Sequence, residues 1–395
     1  MSSQVRAVAP GVRDEPRPTE PGIGRGQAAR DALGVELVPA AALATLAEAA
    51  ADLAARAAEP NVFYDPAFLG PALACFGGAI ELAVVRAGGR LVGLLPLRRR
   101  PFHVEAWHTP YAPFTAPLLD RDRGGAACLA LLKELAHLCG ARFLRLRLAA
   151  AAGPSAAALR DAVRAAGLRV AVIDRHERAV LPLDAAHDPL RRMPAKKRKE
   201  CARLRRRLAE SGMLETVIAA SESAVAEAAA AYLALERAGW KGRRGTAMAQ
   251  QARLHRFFLD MTRALAAEGR CRIAVLRLDH VPIAAAVALV SARGAFYWKT
   301  AYDETHARFS PGVLVTLDLG RALQGEGRAG FVDSCAVPGH GMIESLWEAR
   351  RGIEDVLVSL DPRLPAAASG AVAALFRAAL AGRAALKRLA RSVGR

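Results

Sequence analysis

Apolar residues recur along this chain in two rhythms that switch at glycines. Nearly continuous apolar runs at Glu81–Arg86 and Arg90–Arg98, split by Ala87-Gly88-Gly89, predict two strands joined as a hairpin. The helical rhythm predicts helices over 39–58, 66–76, 124–139 and 155–166, with strands at Phe143–Leu148 and Leu168–Ile173. A similar scheme follows. A strand near Arg178–Leu183 leads into a highly basic helix over 188–210 that stops at Gly212. Strand 214–219 and helices 222–238 and 248–268 come next. Strands at Arg272–Leu278, Ile283–Val290 and Ala295–Tyr302, a helix from Pro311 to about Gln324 and a strand at Gly330–Ser334 close the unit. Residues 371–393 predict a last helix with a basic face. Residues 1–33 carry Pro, Gly and charge without a period and predict a disordered tail.

The two halves align with one another. Shifting the chain by 191 places 83–111 over 274–302 without a gap, and six of 29 positions are identical. Among them are the pairs Arg86/Arg277, Trp107/Trp298, Thr109/Thr300 and Tyr111/Tyr302. The order of elements agrees as well, which predicts a duplicated architecture. The expected division is a tail (1–33), an N-terminal domain (34–176), a C-terminal domain (177–362) and a basic amphipathic helix (363–395).

Composition changes this picture little. With 53% hydrophobic residues among 395, disorder throughout is excluded. Lys plus Arg number 56 against 38 acids, a net charge of +18 that permits anionic partners. The six cysteines are scattered without CxxC spacing, which argues against a zinc module or a disulfide scaffold; no metal is expected. No signal-like or membrane-spanning apolar run is present, so the expected location is cytoplasmic, with a possible peripheral place at the inner membrane face.

The second half carries the chemistry. Phe296-Tyr297-Trp298-Lys299-Thr300-Ala301-Tyr302-Asp303, followed by Arg308-Phe309-Ser310-Pro311-Gly312, resembles the core signature of the BioF2-like, or CelD-like, acyltransferases of the GNAT superfamily. The basic helix, Leu235-Glu236-Arg237-Ala238-Gly239-Trp240-Lys241-Gly242 and Gly330-Phe331-Val332-Asp333 agree with it. Asp279-His280-Val281-Pro282 stands where that family has a DG-x-P turn, with His in place of Gly. The resemblance covers 190–355 well and 80–175 weakly. It implies an α/β (α+β) fold: two tandem GNAT-like domains, each a mixed, largely antiparallel sheet flanked by helices. FemABX-type aminoacyltransferases share that arrangement.

In such folds the pantetheine of acyl-CoA lies along a splayed central strand, and its pyrophosphate meets the next helix N-terminus. Here these would be 295–302 and the helix from Pro311, with Arg308, Ser310, Gly312, Val313 and Leu314 as the donor-binding set. The residues themselves allow it. Pro at the first helical position loses no hydrogen bond, Ser310 is a natural N-cap, and the amides of Gly312, Val313 and Leu314 would face an anion. The resemblance implies a cradle of the form Q/R-x-x-G-x-G/A, of which Arg308-Phe309-Ser310-Pro311-Gly312-Val313 keeps one glycine. Lys299, Tyr302, Asp303 and Asp333 are the catalytic candidates, the two acids as alternative general bases. Lys299, with neighbours expected on the opposite strand face, is either a solvated edge lysine or a charge near the donor. Glu236, Trp240 and Lys241 are candidates for the acceptor pocket, Glu236 and Trp240 lying on one helix face.

The reading that follows is an acyl-CoA-dependent N-acyltransferase (acetyltransferase), acting on an amine of a small molecule or a sugar- or lipid-linked envelope or exopolysaccharide precursor. The alternatives are a FemABX-like transferase using aminoacyl-tRNA and a non-catalytic membrane-peripheral scaffold. The N-terminal half, with Pro113-Phe114-Thr115-Ala116-Pro117 at the place of the Ser-Pro-Gly turn, reads as a degenerate copy. Nucleic acid is disfavoured, because the basic helix lacks interleaved aromatics.

Overall fold

The structure is a computed structural model that describes residues 32–183 and 193–393. The expected tail therefore lies almost wholly outside the described residues, as do 188–192 of the basic helix. In the first half β1 (Leu33–Pro39) leads to helices α1 (Leu43–Ala55) and α2 (Pro66–Phe76). Strands β2 (Ile80–Ala87), β3 (Arg90–Arg99), β4 (Val104–Ala106) and the short β5 (Leu118–Leu119) follow. Helix α3 (Gly124–Cys139), β6 (Phe143–Ala150), α4 (Pro154–Ala165) and the long β7 (Val170–Pro182) complete it.

The second half repeats the order with α5 (Ala195–Ala209), β8 (Leu214–Ala219), α6 (Glu222–Ala238), the single turn α7 (Trp240–Arg243) and α8 (Ala252–Ala267). Then come β9 (Cys271–Leu278), β10 (Val281–Ser291), β11 (Gly294–Tyr302), α9 (Pro311–Glu326) and β12 (Phe331–Asp333). Short α10 (Gly341–Glu344), β13 (Ala349–Ser359) and α11 (Ala366–Val393) finish the chain. Pro194 explains why α5 starts later than its charge pattern suggests: its ring fixes the turn just before Ala195.

The duplication is visible in register. A shift of 191 carries the bounds of β2 onto those of β9 and the start of β3 onto that of β10. In each half four strands run antiparallel and a fifth joins parallel, β4 to β6 and β11 to β12. The halves do not stay separate, however. The order is β1-β2-β3-β4-β6-β13-β7-β12-β11-β10-β9-β8, one continuous sheet. β13, from the second half, covers the edge of β6, while β7, from the first, pairs with β12 through Val180–Pro182. The break expected at 176/177 falls inside β7, which is one strand where two were predicted.

Four strands lay beyond the sequence pattern: β4 and β5 are only three and two residues long, too short to show a period, and β1 and β13 hide theirs. β1 alternates between half-buried and exposed positions at the sheet edge, so it lacks an apolar run. β13 opens with Ala-Arg-Arg-Gly and carries Glu354 and Asp355, polar residues whose burial depends on arginines from other strands.

The core joins the halves on one face of the sheet. Phe63 meets Phe296 at 5.2 Å and Phe68 meets Phe257 at 5.6 Å, both edge to face. Phe296→Leu is expected to cost about 1–2 kcal/mol, from lost ring contacts and imperfect repacking. Urea unfolding should shift as one transition, because the ring packs against both halves.

Candidate functional site

The sequence of β11 makes the site possible. Its register against β10 slips between Val287 and Ala288, so Trp298 is an extra residue, a β-bulge. The bulge breaks the expected alternation. Lys299 turns onto the same side as Trp298, its Nζ 4.6 Å from the Tyr111 ring centre and 5.5 Å from that of Trp298. β12 pairs with β11 only at Gly294–Phe296. Among the described residues, no strand covers that edge from Tyr297 to Tyr302, and the sheet opens there.

On one face of the opening stands the start of α9. A Cβ on Gly312 would lie 3.2 Å from Tyr302 Cδ1, so the glycine lets the helix seat against the strand end. Thr316 donates to the Gly312 carbonyl at 2.6 Å, and its hydroxyl meets that of Tyr297 at 2.7 Å. Ser310 departs from expectation. It holds a left-handed backbone (φ 51, ψ 53), and its hydroxyl makes no cap bond. Its carbonyl instead accepts the amides of Val313 (2.9 Å) and Leu314 (3.2 Å). Of the three amides expected to face an anion, only that of Gly312 keeps no acceptor among the described residues.

On the other face, the turn between α6 and α8 closes over the end of β11. Leu235, Glu236, Trp240, Lys241 and Thr300–Tyr302 wall a cavity of about 50 Å³. Glu236 is buried at its side and fully engaged. Its Oε1 accepts from Lys241 Nζ (2.7 Å) and the Tyr232 hydroxyl (3.2 Å), and its Oε2 from the Met248 amide (2.8 Å). Burial and the neighbouring carboxylate push the Tyr232 phenol well above its ordinary value. Half-buried Lys299 stands behind this wall. Burial first and then Lys241 lower its pKa from 10.5 to about 8, opposed by Glu236 and Cys335.

Residues 195–334, from the start of α5 to the end of β12, match a family model described as an acetyltransferase (GNAT) domain. This chain carries a GNAT-type acetyltransferase domain. No curated protein matches the sequence. Among solved structures, FemX is similar with a TM-score of 0.55 at 11% identity, over 79% of this chain and 95% of that one. The C-terminal domain of a putative lysylphosphatidylglycerol synthetase from Agrobacterium fabrum gives 0.53 at 15%, over 83% and 94%. A conserved protein of unknown function from Bacteroides thetaiotaomicron gives 0.53 at 11%, over 84% and 100%. At these identities the likeness is one of fold.

Within the GNAT domain the sequence candidates separate into groups. Glu236, Trp240, Lys241 and Tyr302 meet at the cavity, with Lys299 behind them. Gly312 and Ser310 stand at the helix start, whereas Arg308 is exposed and covers the Phe309 ring at 4.7 Å. Asp303 caps the turn after β11. Burial works against its charge, yet the Thr305 and His306 hydrogen bonds hold it below the ordinary carboxylate value. Asp333 stands apart. It is fully buried, takes Arg178 on both oxygens (2.6 Å each) and Arg351 at 3.0 Å. With the Cys335 amide on Oδ1 at 2.9 Å, both oxygens are engaged within this cluster.

Sequence reasoning missed two contributors. Glu304 ties the cavity rim, accepting from the Trp240 amide (2.7 Å) and Arg243 (2.5 Å); the Arg243 bond holds its carboxyl below the usual range. Its place directly after Asp303 carried no signal. Tyr111 reaches in from the first half, with its ring under Lys299 and its carbonyl accepting from Trp298 Nε1 at 2.8 Å. The repeat pairs Tyr111 with Tyr302 but is silent on that cross-contact. Among the described residues no helix is long and apolar enough to cross a membrane.

Proposed function

We propose that the GNAT domain is an acyl-CoA-dependent N-acyltransferase of the BioF2-like, or CelD-like, branch, moving an acetyl or longer acyl group to an amine. The acceptor class that suits it is a small molecule or a sugar- or lipid-linked envelope precursor. The observation that carries the reading is the uncovered edge Tyr297–Tyr302, with the α9 start on one side and a carboxylate-bearing cavity on the other. Peptide groups along an uncovered edge are unpaired donors and acceptors, suited to an amide-bearing chain such as pantetheine. Acyl-CoA, when bound, supplies the thioester carbonyl; the protein need supply no nucleophile of its own.

The chain's residues divide the remaining work. Ser310, whose hydroxyl caps nothing, and the Gly312 amide would hold the anionic part of the donor. Trp240, Lys241 and Tyr302 would shape the acceptor's entry. Lys299 feels Lys241 and Glu236 from the cavity wall and Cys335 from the segment after β12. With a pKa of about 8 its neutral amine, which forms as pH rises through about 8, would take the proton from the acceptor's ammonium.

Isothermal titration with acetyl-CoA and longer acyl-CoAs tests the reading. Binding with micromolar affinity is expected, and no affinity for any acyl-CoA would sink it. Tight, steeply salt-dependent binding of aminoacyl-tRNA in its place would point to the FemABX-like alternative. Gly312→Val adds bulk where even a Cβ is crowded, and should weaken the donor at least tenfold. Phe114→Leu, at a fully buried position of the first half, should lower stability and leave donor affinity unchanged. Equal loss of donor affinity from both changes would refute the asymmetry between halves.

A further inference from the structure

The C-terminal helix leaves an apolar hollow beside it. Its first turns dock on the sheet: Ala373 is fully buried with Phe143, Ile173 and Leu357, flanked by Val372, Phe376 and Leu380. Arg377 donates to the Val172 carbonyl at 2.7 Å. Beside this dock a cavity of about 710 Å³ opens, walled by Phe102, Phe143, Val372, Leu375 and Phe376. Phe102, in the β3–β4 turn, is 81% exposed, and Leu375 is 71% exposed. Farther along α11, Arg383 and Leu386 are exposed too. Water thus meets large apolar side chains drawn from two distant segments around one hollow.

Charge indicates what covers that face. From Ala366 to Val393 the helix carries Arg377, Arg383, Lys387, Arg388 and Arg391 and no acid, and exposed Arg142 lines the hollow. A second copy would bring the same charges against these and be repelled. Nucleic acid would use the charges but leave Phe102 and Leu375 in water. Both features are used where acyl chains lie beneath anionic headgroups. We infer that this face docks on an anionic phospholipid surface, with Phe102 and Leu375 entering the headgroup boundary and α11 lying along it.

The test needs no transferase activity. Full-length protein is sedimented with vesicles of phosphatidylglycerol mixed into phosphatidylcholine, and with phosphatidylcholine alone. Removing all of α11 would strip the cover from Phe143 and Leu357, so the shortened chain ends after Gly382 and keeps the docked turns. Each basic residue near the headgroups adds ~1 kcal/mol, so losing Arg383, Lys387, Arg388 and Arg391 should weaken binding by on the order of a hundredfold or more. Phe102→Ser with Leu375→Ser should weaken it by on the order of tenfold while leaving the melting temperature unchanged. Binding should need the anionic lipid and fall with salt. Equal binding to both vesicle types, or undiminished binding of the shortened chain, would overturn the inference, the latter in favour of α5. A dimer that the serine pair dissociates, without vesicle binding, would overturn it in favour of a second copy.

Discussion

Lys299→Met should lose about 10²–10⁴-fold in transfer rate, the range for removing a positioned general base, and yet unfold at a higher urea concentration than wild type. The charge is the reason. A lysine with pKa about 8 in the folded protein and 10.5 unfolded is protonated in both states below about pH 8, where the folded state bears the full cost of burying it. That cost is released as pH rises from about 8 towards 10.5, so stability climbs through the same window. Discounted for its partly open setting, the cost is roughly 1–3 kcal/mol. The Tyr111 and Trp298 faces return about 0.5–1 kcal/mol each. The net gain for methionine at pH 7 is about 1 kcal/mol. Wild-type activity should rise through about pH 8 as the neutral amine forms. Lys299→Arg keeps a charge that never titrates, so as a base it should fail; an arginine variant with full activity would show that the charge, and not the proton transfer, is what the site uses.

Arg178→Met should lower stability by about 3–5 kcal/mol at neutral pH, the cost of leaving a buried carboxylate short of its partner. Arg178 (β7) and Arg351 (β13) grip Asp333 at the end of β12; Arg351 also pairs with Glu59, before α2. Arg178 donates to the Pro113 carbonyl at 2.8 Å, and both guanidiniums lie against the Phe114 ring. Burial raises the Glu59 pKa in spite of Arg351, a sign of how dry the cluster is. The same Asp333 carboxylate accepts the amide of Cys335, which lies near Lys299. Loosening Arg178 should therefore also lower transfer. Urea titration with and without salt measures the first effect, and unchanged stability would mean that water already fills the cluster.

How much of this could be read from residue order differs by element. The β2–β3 hairpin and the β9–β11 meander announced themselves because both faces of those strands are buried and their turns are marked by Gly88-Gly89 and Asp279-His280. Pro311 marked the α9 start correctly, but Ser310 looked like an ordinary cap because sequence does not reveal a left-handed serine. Trp298 as a bulge was hidden too. An extra residue in one strand is defined by its partner's register, and only the pairing with Val287 and Ala288 exposes it. The cavity was legible in Glu236, Trp240 and Lys241, which one helix end brings together. Tyr111 was not, since nothing local in 109–112 tells that its ring crosses into the other half.

The exchanged strands β7 and β13 constrain how the molecule can be made. While it is being synthesised, the first half has β6 paired with β4 on one edge but no strand for the other; that partner emerges only with Ala349–Ser359, about 200 residues later. In the interval an apolar strand edge is open to any other chain. Expressed by itself, the first half would keep that edge permanently bare, and the second would lack the strand that seals β12. Each half thus carries a strand that the other needs, so a cut between them would leave both with a bare edge.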